Sequence, residues 1–160
     1  QQIQEEERRR LAEQNSSGGG TKNTKPNPNA ANTIAAAQAI VAQSGGSSNG
    51  KSIANYACQF IGNPYVPGGT SLTNGADCSG FIYALYKDYG YRVPRTSWQL
   101  REAGTGVSYS EAQPGDIVCY EGHVGMYIGG GMIVHASTQR TGIKVSNAQY
   151  RPILTVRRVM

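Results

Sequence analysis

Hydrophobic positions fall unevenly along the chain, and the period of their spacing changes once. From Lys51, Ile53, Ala57, Phe60 and Ile61 recur at helical spacing until Gly62, with Pro64 beyond, which predicts a first helix. Residues 62–76, rich in Gly and Pro, read as a loop. Asp77 then reads as an N-cap. Cys78, Phe81, Ile82, Leu85 and Tyr86 follow it on one apolar face of a second helix ending near Gly90. A shorter helix is predicted over Thr96 to Ala103. After Pro114-Gly115 the apolar period falls to two, predicting strands at Ile117 to Tyr120, Val124 to Ile128, Met132 to Ala136, Ile143 to Val145 and Leu154 to Val159. Helices followed by an antiparallel sheet of about five strands is an α+β order.

Ahead of Lys51 neither period is sustained. Gln1 to Gln14 combines strong helix formers with Glu5, Glu6 and Glu7 set ahead of Arg9 and Arg10, but only Ile3 and Leu11 are large and apolar. That suits the end of an upstream helix or coiled coil better than a free helix. Residues 15–50 read as a flexible linker: Gly, Ser, Asn and Pro first, a weak alanine-rich helix over 30–43, then a second joint at Ser44 to Gly50. The expected organisation is therefore helix tail (1–14), tether (15–50) and folded head (51–160).

Composition sharpens this split. All ten Tyr, both Phe and the single Trp lie at Tyr56 or later, so the front third lacks the material for its own core. Only 16% of the 160 residues are charged, with a net charge of +5, and no apolar run approaches the roughly 18 residues that span a bilayer. The basic residues do not cluster, apart from Arg157 and Arg158, and no nucleic-acid motif occurs. The balance reads as a solvated surface, not a nucleic-acid partner.

The scarce reactive groups are three cysteines and two histidines. Cys78 follows an N-cap in the first turn of a helix, where unsatisfied N–H groups and the helix dipole favour a thiolate and can receive an oxyanion. Cys58 and Cys119 sit among core positions; a bridge between them would leave Cys78 as the one free thiol. His123 begins one strand and His135 lies in the next, with Gly129-Gly130-Gly131 between. If the three glycines form the hairpin loop, 125 faces 135 and 123 faces 137, so the two imidazoles lie diagonally on one face with Gly125 between them. The set fits a nucleophile (Cys78), a base (His123) and a neutral orienting group (His135). A zinc site from Cys78, Cys119, His123 and His135 lacks the short paired spacings of structural zinc, and no cofactor is expected.

The stretches GNPYVPGGTSLTNGADCSGFIYALY, VPRTSWQL and QPGDIVCYEGHVGMYIGGGMIVHAS together resemble the NlpC-type papain-like peptidases of bacterial cell walls, in the family's order across residues 51–160. The resemblance implies a reduced papain-like α+β fold and a secreted enzyme without cofactor. It would cut peptidoglycan stem peptides between γ-D-glutamate and a diamino acid, meso-diaminopimelate or lysine. Carried over by position, it makes Cys78 the nucleophile, His123 the base and His135 the third member, with Tyr65, Asp77, Ser79 and Ser97 binding substrate. Val66-Pro67 stands where an aromatic residue is common. Other uses of the scaffold are a wall-peptide-binding module that does not cut, or an amidase or acyltransferase. Besides the stem peptide, an upstream coiled-coil region or a regulator acting on it is a further expected partner.

Overall fold

The computed structural model describes residues 30–160; the expected helix tail and the first part of the tether lie outside them. The described residues begin with α1 (Ala31–Gln43), α2 (Ser48–Cys58), the short strands β1 (Thr70–Ser71) and β2 (Gly75–Ala76), and α3 (Cys78–Asp88). They are followed by α4 (Ser97–Leu100), β3 (Thr105–Val107), β4 (Ile117–Tyr120), β5 (His123–Gly129), β6 (Met132–Thr138), β7 (Gly142–Asn147) and β8 (Thr155–Arg158). The main sheet has six strands in the order β3-β8-β4-β5-β6-β7, with every pairing antiparallel. The main sheet has one more strand than the apolar pattern predicts, because β3 is an edge strand whose Thr-Gly-Val carries little hydrophobic signal. The two-residue strands β1 and β2 pair within the stretch 62–76 read as a loop.

The alternation within the strands sorts side chains between two layers. Cys119, Val124, Met126, Ile128 and Val134 join the helices in the larger core, and α1, α2 and α3 all touch β5. Val118, Tyr120 and Ile133 face the other side and form a smaller cluster with Ala148, against which Tyr109, Tyr127 and Ile153 pack. The histidine-bearing strands are thus central in the sheet and covered on both faces.

Two expectations about the front of the fold are corrected. Residues 30–43 are not a weak helix within a linker: Ile34, Ala37 and Val41 are buried, and α1 packs on α2 and β5. Isolated alanine-rich helices of this length are marginal, so the packing partner holds it in place. Ser44 to Gly50 is not a joint either. The Ser47 side chain caps α2 by accepting from the Gly50 N–H at 3.0 Å, and Ser44 Oγ donates to the Ile40 carbonyl at 2.8 Å. A side chain at Gly50 would run into the Pro114 carbonyl, so glycine there permits a close approach of two backbones. The serines and glycines read as flexible are turn and cap chemistry, and the boundary at Lys51 falls inside α2.

Candidate active site

Cys78 is the first residue of α3, and the preceding loop is folded tightly against it. Asp77 caps the helix, its Oδ1 accepting from the Gly80 N–H at 2.7 Å. Backbone bonds run from Val66 to Ala76 (3.2 Å) and from Asp77 to Gly69 (3.2 Å), and Asp77 Oδ2 accepts from the Gly68 N–H at 2.9 Å. A side chain at Gly80 would strike the Gly69 carbonyl, which explains the glycine two residues after the cysteine. Tyr65, half-buried, is held in the same layer by a bridge to Ala76. Val66, the departure from the family pattern, lies against the open face of Gly75.

Arg95, quoted in the Pro-Arg-Thr stretch but given no role by the sequence, ties this region together. Its guanidinium donates to Ser79 Oγ at 2.9 Å and pairs with Asp77 Oδ1 at 3.1 Å and Oδ2 at 3.3 Å. Asp77 is therefore 2% exposed with both oxygens engaged, and Ser79 is fully buried. Asp77 acts here first as a framework residue: to the helix cap that the sequence predicts it adds a buried ion pair with Arg95. Ser97 opens α4 immediately after the capping Thr96 and is buried at 2% exposure.

The two histidines meet. His123 Nε2 and His135 Nδ1 are 2.7 Å apart, with ring centroids separated by 5.0 Å. The pairs Met126–Val134 and Tyr127–Ile133 set the register that was expected. The loop differs: Gly129 pairs with Met132, so only Gly130 and Gly131 form the turn, and an irregularity between Tyr127 and Gly129 takes up the extra residue. Gly125 does separate the rings, since a Cβ there would lie 3.2 Å from His135 Cβ. Ser146 on β7, which no sequence signal marks, meets His135 Nε2 at 2.8 Å. A coherent assignment has His123 Nε2–H donating to His135 Nδ1 and His135 Nε2–H donating to Ser146, leaving His123 Nδ1 as a free base.

Burial fixes the charge of the pair. It pushes His123 down from 6.5 to about 4, helped by the nearby positive Arg151. It pushes His135 down to about 3, with His123, Lys144 and Arg151 adding to the effect. Both rings are neutral at pH 7, as the orienting role requires. Cys58 and Cys119 are free, fully buried thiols pushed by burial up to about 12, which suits core packing and not reaction. Among the described residues no group of three or more His, Cys, Asp or Glu side chains is placed to hold a metal ion.

A helix N-terminal cysteine on a helix that packs across the two strands carrying a histidine pair defines a papain-like cysteine peptidase domain. Residues 62–157 match the model of the NlpC/P60 family, and the chain belongs to that family. It is 41% identical over 108 residues to a Corynebacterium glutamicum protein named a probable endopeptidase, covering 66% of this chain and 51% of that one. It is 38% identical over 94 residues to the gamma-D-glutamyl-L-lysine dipeptidyl-peptidase of Bacillus subtilis, covering 54% and 31%. The chain thus spans about half the length, or less, of these relatives. Among solved structures, the NlpC/p60 domain of the peptidoglycan hydrolase SagA matches with TM-score 0.63 and 32% identity, over 69% of this chain and 99% of that one.

Proposed function

We propose that this domain is a cysteine endopeptidase that hydrolyses peptidoglycan stem peptides at the bond between γ-D-glutamate and a diamino acid, acting outside the cell membrane on the wall. The observation that carries the reading is the neutral His123–His135–Ser146 relay on strands crossed by the helix that Cys78 heads. The names of two relatives support the substrate: one is a gamma-D-glutamyl-L-lysine dipeptidyl-peptidase, the other a peptidoglycan hydrolase.

The chemistry follows from the placement. His123 Nδ1 draws the proton from the Cys78 thiol, and the sulfur attacks the amide carbonyl. In this reading the oxyanion is received at the start of α3, where the positive end of the helix dipole favours negative charge. His123 then gives its proton to the leaving diamino-acid amine. Through the imidazolium stage His135 accepts from His123, and Ser146 holds His135 in the accepting tautomer. A water deprotonated by His123 releases the acyl group. Half-buried Tyr65 contacts the peptide on the acyl side in this reading, while Asp77, Ser79 and Ser97, all buried, shape the wall behind the nucleophile.

Hydrolysis of purified muropeptides by the native protein and by Cys78→Ala, followed chromatographically, tests the assignment. Cleavage is expected only with the native cysteine; undiminished cleavage by the alanine variant would overturn it.

A further inference from the structure

Three large apolar side chains are exposed among the described residues: Trp98 (38%), Tyr150 (46%) and Leu154 (48%). They are not scattered. A chain of contacts joins Trp98 to Tyr150 along the histidine side of the site, alternating aromatic rings with guanidinium groups. Arg101 lies over the Trp98 ring at 4.7 Å and reaches Glu121 Oε2 at 3.6 Å. Arg151 donates to the Glu121 carbonyl at 2.6 Å and lies 5.7 Å from the Tyr120 ring and 5.9 Å from that of Tyr150. Tyr120 and Tyr150 in turn flank the two imidazoles, with ring centroids 6.1 Å from His123 and 5.7 Å from His135. Arg151 and Leu154 also line an open groove of about 700 Å³.

Both guanidiniums therefore hang on the turn that immediately precedes His123. The only carboxylate in the ring, Glu121, is 67% exposed and meets Arg101 at a separation too long for a hydrogen bond. Arg101 Nε is buried without a partner. Two cations against one loosely held anion leave the rim net positive, and stacking on aromatic faces holds the planar groups without using up their donors. Such a rim suits a carboxylate, which a guanidinium can bind with two parallel hydrogen bonds.

We infer that the rim formed by Arg101 and Arg151 on the Trp98, Tyr120 and Tyr150 rings is a subsite for a carboxylate on the leaving half of the substrate. The inference rests on the peptidase reading above. His123 protonates the leaving amine, so the diamino acid lies on the histidine side of the site, next to this rim. The leaving half has two sources of carboxylate: the end of a diaminopimelate side chain, which lysine lacks, and the C-terminus of the stem peptide. If the first is bound, the rim selects diaminopimelate over lysine.

Synthetic stem peptides separate these cases. Two carry diaminopimelate with the side-chain carboxylate free or amidated, both ending in a C-terminal amide. Two carry lysine with the C-terminus free or amidated. The native protein is expected to favour the free acid by about tenfold in kcat/KM in at least one pair, mainly through KM. The pair that shows it identifies the source. In the double variant Arg101→Gln, Arg151→Gln the preference is expected to fall to near one. Equal cleavage of free and amidated peptides by the native protein, or a preference kept by the double variant, overturns the subsite and leaves the peptidase reading standing. Cleavage of none of the four overturns both.

Discussion

A buried imidazole pair has a cost that pH exposes. His123 and His135 are held near 4 and 3, against an ordinary 6.5, by burial above all. The unfolded chain therefore takes up two protons near pH 6.5 that the folded chain refuses until the pH is much lower. Where the unfolded state binds more protons, stability rises with pH. The fold should be at full strength above about pH 6.5 and should weaken as pH falls from there towards 4. Thermal unfolding across that range checks it. A midpoint that stays level, or the same decline in a His135→Asn variant as in the native protein, would speak against the assignment. The same depression keeps His123 a free base in mildly acidic surroundings, which sustains its proposed role.

At the scale of elements, the turn from loop to α3 is held largely by one side chain. Asp77 is at once the helix cap, the anchor of the Gly68 N–H and the buried partner of Arg95. Asp77→Ala removes the cap and leaves Arg95 without its anion, so stability should fall by about 2–4 kcal/mol. Urea unfolding measures it, and a loss below about 1 kcal/mol would show that the carboxylate is not framework. Sequence and structure agree most closely where local rules decide. An acidic residue before a helix announces a cap, and strict alternation along β5 puts His123 and Gly125 on one face, whatever the turn does. The rest depends on partners distant in sequence. The Arg95 fork, the Ser146 contact and the Tyr150–Arg151 loop over the imidazoles become visible only when separate segments meet. Burial of α1 escapes the pattern because alanines, which signal little hydrophobicity, are what allow its close packing on α2.

For the whole molecule, the consequence is that the folded unit described here begins well before Lys51. A chain starting at Lys51 loses buried Ile34, Ala37 and Val41 and the Ser47 cap, and should be about 3–5 kcal/mol less stable than one starting at Ala30. Equal unfolding midpoints would mean that α1 adds nothing to the core. With the helices seated, the sheet presents the histidine relay and the helix across it presents the thiol, while α4 and the loop between β7 and β8 bring the rim alongside. That arrangement stands or falls on one bond in one substrate. Mass spectrometry of a cell-wall digest reads it directly. The native protein is expected to release fragments whose new N-terminus is the diamino acid, and Cys78→Ala none. Fragments split at the sugar, at another peptide bond, or produced equally by the alanine variant would contradict the account.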